Sequence, residues 1–114
     1  MVYRGMDEPL TIGLEVHGEA EAPVLRVSGE VDAGTTPLLK MELVALVERG
    51  AQHITLDLED LAFIDSSGLA ALVAVSLRLR DERDGRLKVE HVQDGVRKIF
   101  ENTGLGPMFG IAPR

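Results

Sequence analysis

The chain has 114 residues, is 45% apolar and 27% charged, carries a formal charge of −7 and contains no cysteine. That length and apolar content suit one domain with one core, and the missing cysteines exclude disulfides, thiol redox chemistry and thiolate metal sites. The acidic balance argues against a nucleic-acid partner, which needs a basic face, and the longest apolar run, residues 69–75, falls far short of the ~20 residues of a membrane span.

Residues 1–9 contain no apolar stretch of signal-peptide type. They are expected to form an N-terminal tail before a single domain over residues 10–114, in a protein of the cytoplasm. Ile12, Leu14 and Val16 alternate with polar or small neighbours and predict a first half-buried strand. Leu25 and Val27, alternating with Arg26 and Ser28, predict a second. The short link over residues 18–23, with its Gly and Pro, should make the pair antiparallel. Thr36 is placed to cap a helix with Pro37 at its first position. Leu39, Leu43, Leu46 and Val47 line one face of that helix, and Gly50 follows as a stop. Ile54, Leu56 and Leu58 mark a third strand, followed by a loop over residues 59–67.

A second helix is expected from Ser66, with Leu69, Leu72, Val73, Ser76 and Leu79 on one side and Gly85 at its end. Leu87 and Val89 mark a fourth strand. A third helix runs from Asp94 with Val96, Ile99, Phe100 and Thr103 on one face and Gly104 as its C-cap. Residues 108–111 read as a short last strand. Strands joined through helices should be parallel, with right-handed crossovers. The fold class is therefore α/β, a mixed and mostly parallel sheet of four to five strands. The polar phase of each strand places the helices mainly on one face, because a sheet covered on both sides shows continuous apolar strands.

Sites in parallel α/β sheets form beyond the carboxyl ends of the strands. The loops there span residues 29–35, 59–67 and 91–95. They are expected to gather Glu30, Asp32, Asp65, Ser66, Ser67 and Asp94 on one acidic, hydroxyl-bearing edge. The most informative stretch is Phe63-Ile64-Asp65-Ser66-Ser67-Gly68-Leu69, two adjacent hydroxyls between a buried-looking strand and an apolar helix. A phosphoryl group on such a hydroxyl lies at a helix N-terminus, where free amides and the dipole favour negative charge. A plainer reading makes Asp and Ser ordinary N-cap residues and Gly68 the point where helix packs on sheet. The two are compatible, since a capping hydroxyl can also accept a phosphoryl group. Gly29-Glu30-Val31-Asp32 reads as a polar turn with Asp32 opening an Asx turn.

His17, His53 and His91 are scattered without metal-ligand spacing, so neither metal nor cofactor is expected. Arg78, Arg80, Arg83 and Arg86 are interleaved with Asp81, Glu82 and Asp84, as on a solvated helix end. A serine hydrolase needs a base and an oxyanion hole beside its nucleophile. Ser66 lacks the Gly-x-Ser-x-Gly elbow, and the phase of His91 points toward the core. The chain is thus expected not to be an enzyme.

Four stretches carry a family resemblance: Val27-Ser28-Gly29-Glu30-Val31-Asp32, Ile54-Thr55-Leu56-Asp57-Leu58, the Phe63–Leu69 stretch, and Val96-Arg97-Lys98-Ile99-Phe100 with Thr103-Gly104-Leu105. Over residues 10–111 the chain resembles the STAS-domain anti-sigma factor antagonists, or anti-anti-sigma factors. The resemblance implies a mixed sheet flanked by helices, and it implies partner switching. In that scheme the unmodified antagonist binds an anti-sigma factor that is also a serine kinase, which releases a sigma factor for transcription. The kinase phosphorylates the serine directly after the aspartate, here Ser66, and a metal-dependent serine phosphatase resets it. The partner-binding set implied is Gly29, Glu30, Asp32, Asp65, Ser66, Ser67, Gly68 and Asp94. The protein would act as a monomer or weak dimer, without nucleic acid or membrane. The family also includes stress-signalling scaffolds, so a module that binds partners without phosphorylation is the alternative.

Overall fold

The computed structural model describes residues 2–3 and 12–112. Val2–Tyr3 (β1) lies antiparallel to the start of Ile12–Glu19 (β2). β2 pairs antiparallel with Ala22–Val31 (β3) through the two-residue turn at Ala20 and Glu21. The helix Thr36–Glu48 (α1) then returns the chain to His53–Asp57 (β4), parallel to β3. Leu61–Ile64 (β5) is also parallel to β3. The long helix Ser66–Arg83 (α2) leads to Arg86–Glu90 (β6), parallel to β4. Asp94–Asn102 (α3) and a single 3-10 turn, Pro107–Phe109, complete the described chain. The sheet order is β1-β2-β3-β4-β6, with β5 on β3. This is the expected mixed, mostly parallel α/β sheet.

Alternation within the strands sets which face is covered. Leu25, Val27, Ile54, Leu56, Leu87 and Val89 are buried and join one core with Leu39, Leu43, Leu72, Leu79, Val96 and Phe100 from the helices. Phe100 and Phe109 meet edge to face, ring centres 5.6 Å apart. The other phase carries Glu15, Arg26, Asp57 and Glu90, which stand opposite one another across β2, β3, β4 and β6. That face is polar, as the alternation requires.

Several local expectations change. Residues 59–67 are not one loop: Leu61 N–H donates to Leu58 O (3.1 Å), and the chain then re-enters the sheet as β5. The burial order in β5 is in-out-out-in, so period two gives no signal there, and Phe63 is 41% exposed rather than buried. Val16 is 42% exposed where burial was expected. Residues 108–111 do not form a strand. Pro107 has no amide to donate, and Phe109 and Ile111 both bond back to Gly106 O (3.1 and 2.9 Å), so the segment curls on itself. Thr35 rather than Thr36 occupies the N-cap of α1. On α2 the buried stripe is Gly68, Leu69, Ala71, Leu72, Val75 and Leu79, with Val73 and Ser76 only half-buried. The helix ends at Asp84, which takes the left-handed conformation (φ 52°), one residue before Gly85.

Candidate functional site

The site grows from the handover between β5 and α2. Asp65 N–H donates to Val31 O (3.0 Å), which extends the β3–β5 pairing by one residue. Asp65 is extended (φ −106°, ψ −175°) and serves as N-cap of α2. Its Oδ1 accepts from Ser67 N–H (2.9 Å), Gly68 N–H (3.1 Å) and the Ser67 hydroxyl (2.5 Å). These bonds hold the carboxyl below its ordinary range. The Ser67 hydroxyl contributes most, followed by the Gly68 amide, against a smaller opposing effect of burial; the Ser67 and Ala33 amides add to the lowering.

The two serines thereby part company. Ser67 is half-buried, and its hydroxyl also lies 3.2 Å from Thr36 Oγ1 at the start of α1. Ser66 is exposed, and its hydroxyl makes no hydrogen bond with the described residues. Gly68 explains itself sterically. A Cβ there would sit 2.6 Å from Val31 Cγ1 and 2.8 Å from Ile64 Cγ1. Only glycine lets the first turn of α2 rest directly on β3 and β5.

The 29–35 loop approaches from the β3 side. The β3–β5 register shifts between Gly29 and Glu30, and Gly29 takes φ 89° at that bulge while its N–H donates to Asp60 O (3.1 Å). Glu30 is exposed at the end of the strand, opposite Phe63. Asp32 is half-buried, and its Oδ1 accepts from Gly34 N–H (2.9 Å) and Thr35 N–H (3.0 Å), the expected Asx turn. Asp32 N–H in turn donates to Thr35 Oγ1 (2.9 Å), whose hydroxyl donates to Glu30 O (2.8 Å). Asp32 therefore shapes the loop that faces Asp65.

The chain brings Gly29, Glu30, Asp32, Asp65, Ser66, Ser67 and Gly68 onto adjoining segments. Asp94 is exposed at the start of α3, and its loop is fastened to the β4–β5 turn by Gln93 Nε2 donating to Glu59 O (2.6 Å). Two neighbours escaped the sequence reading. Thr36 ties the starts of α1 and α2 together, and Phe63 presents a ring beside the Asp65 turn. The Thr36–Pro37 cap was the only signal for the first, and the second was read only as the opening of the Phe63–Leu69 stretch, with no role of its own. His91 is not directed to the core: it is exposed, leaves β6 with φ 58°, and its Nδ1 lies 3.3 Å from Asp57 Oδ1. Strand alternation stops at Glu90, so extending it by one residue gave the wrong face.

With that geometry in view, known proteins give a consistent answer. A family model described as the STAS domain matches residues 12–114. The anti-sigma-B factor antagonist of Bacillus subtilis (strain 168) is 28% identical over 105 residues, covering 92% of this chain and 94% of that protein. The crystal structure of an anti-sigma factor antagonist from Mycobacterium paratuberculosis superposes with a TM-score of 0.79 at 28% identity, covering 91% of this chain and 87% of the other. The Bacillus cell fate determinant SpoIIAA in its phosphorylated form matches with a TM-score of 0.65 at 27% identity, covering 86% and 87%. These relatives are named as regulators rather than enzymes. The chain belongs to the STAS-domain family of anti-sigma factor antagonists.

Proposed function

We propose that this antagonist is switched by phosphorylation of Ser66 and that its unphosphorylated form binds an anti-sigma factor serine kinase in the cytoplasm, releasing a sigma factor. The observation that carries the reading is the exposed Ser66 hydroxyl at the first position of α2, uncommitted to any bond with the described residues. A kinase can approach it without opening the fold. Transfer of the ATP γ-phosphoryl group to Ser66 Oγ expels ADP, and hydrolysis of the phosphoester by a serine phosphatase restores the hydroxyl. That one of the similar structures is a phosphorylated form supports this use of the site.

The geometry also supports a physical reason for release. Phosphorylation adds about −1.5 to −2 charges. The Ser67 and Gly68 amides, which would otherwise meet them, already serve Asp65. The new charge therefore stands beside a carboxylate and faces outward, toward whatever docks over Ser66 and Phe63. A loss of about 3 kcal/mol of binding free energy weakens affinity more than a hundredfold. No refolding is needed.

The test mixes the chain with candidate anti-sigma kinases and ATP. Intact mass should show one added phosphoryl group, mapped to Ser66. Ser66→Ala should bind the kinase and accept no phosphoryl group. Ser66→Asp should bind poorly while melting like the wild type. Equal affinity of the kinase for wild type and Ser66→Asp overturns the mechanism. A module that binds partners without modification would show no phosphoryl transfer at all.

A further inference from the structure

The ends of β4 and β6 carry a second constellation that the switch does not use. Asp57 stands opposite Glu90, so the two strands finish side by side. Asp57 Oδ1 accepts from Glu59 N–H (3.1 Å), which curls the β4–β5 turn back and sets the Glu59 carboxylate beside Asp57. His91 brings Nδ1 to 3.3 Å from the same Asp57 oxygen. One ligand atom from each of Asp57, Glu59 and His91 lies within 4.8 Å of the others. Arg26 Nε, 3.7 Å from Asp57 Oδ2, engages the other oxygen and leaves Oδ1 turned to the histidine.

We propose that Asp57, Glu59 and His91 form a surface site for one divalent transition ion of the zinc type. Zinc bonds of about 2.0–2.2 Å to nitrogen and oxygen place neighbouring ligands roughly 3.3 Å apart in a tetrahedron. The Asp57–His91 spacing already matches that figure. Glu59 is exposed and free to swing the remaining distance inward. Imidazole combined with two carboxylates suits zinc, whereas magnesium and calcium select all-oxygen sets. Two carboxylates neutralise the ion, and the fourth position stays open to water. The nearby Arg26 charge opposes any cation, so binding rests on the ligand bonds rather than on bulk attraction. A bound ion would join the β4–β5 turn to the β6–α3 loop, which Gln93 and Glu59 already link. β5, α2 and β6 separate His91 from Asp57 and Glu59, which is why their spacing along the chain reveals nothing.

The whole chain, first stripped with a chelator, is titrated with zinc chloride by calorimetry and melted with and without the ion. The expected result is one ion per chain and a raised melting temperature, since an ion that binds only the folded form stabilises it. His91→Asn keeps a residue that tolerates the left-handed conformation, and Glu59→Gln keeps the shape. Each should weaken zinc binding roughly tenfold or more, because loss even of outer-shell partners costs that much. Melting of both variants in chelator confirms that they fold. The proposal is overturned by the absence of saturable zinc binding, by undiminished binding in His91→Asn, or by equal stabilisation with magnesium. It also fails if binding is lost only in His17→Ala, where His17 and Glu15 make another histidine–carboxylate pair (3.8 Å).

Discussion

Asp65 is the residue on which the turn depends, and its charge state can be read in the stability of the fold. Its folded carboxyl titrates below the ordinary range. The stabilisation is therefore fully present above the unfolded value of about 4, and it fades as the pH falls through the lowered folded value. Asp65→Asn keeps a capping oxygen but loses the charge. Thermal melts from neutral to acid pH should fall less steeply for Asp65→Asn than for the wild type, with the difference confined to the acid limb. Gly68→Ala is a second test at this scale. With Val31 and Ile64 atoms under 3 Å from the new methyl, overpacking should cost about 1–3 kcal/mol in urea unfolding. Both roles were legible in the sequence because a cap and a close approach are local matters. The division between Ser66 and Ser67 came from the family resemblance and not from the residues themselves. The two side chains are chemically identical, and only their positions on the first turn decide which is bonded and which is free. His91 was equally opaque, since one backbone angle at the strand end reverses its direction.

Among the elements, the helices were the most readable and the strand after β4 the least. Leu39, Leu43, Leu46 and Val47 repeat at helical spacing and are buried as that spacing requires. β5 has two consecutive outward residues and only four in all, so no periodic signal survives. The same elements meet at one hydroxyl pair. Thr36 and Ser67 join the starts of α1 and α2 at 3.2 Å. Thr36→Val keeps the shape and removes the donor. It should cost about 0.5–1.5 kcal/mol in denaturant unfolding. It should also weaken partner binding if the two helix starts form one docking edge. An unchanged unfolding midpoint would show that the pair contributes nothing. Elsewhere the helices are tied at their far ends, where Arg83 Nη2 donates to Val47 O (2.9 Å). Two other arginines of the basic cluster noted in the sequence make the pairs Arg78–Glu82 and Arg80–Asp81 at the surface. Pairs of that kind add little stability.

The molecule as a whole is acidic, and that charge acts on encounter more than on fold. Glu30 stands exposed beside the Asp65 turn, and its carboxylate makes no bond with the described residues, while its backbone carbonyl accepts from the Thr35 hydroxyl. Glu30→Gln should leave the melt unchanged, slow association with a basic partner at low salt, and converge on the wild-type rate at high salt. Identical rates at every ionic strength would remove Glu30 from the docking surface. The overall architecture was legible because alternation in each strand and the helices between them allow few topologies. The row Glu15, Arg26, Asp57 and Glu90 across the polar sheet face has a consequence for assembly. Two copies stacked through that wall would have to strip water from four ionic groups apiece, with few apolar atoms gained in return. Crowded together, such molecules gain little by meeting across their broad flat side and remain approachable at the rim where the helices begin.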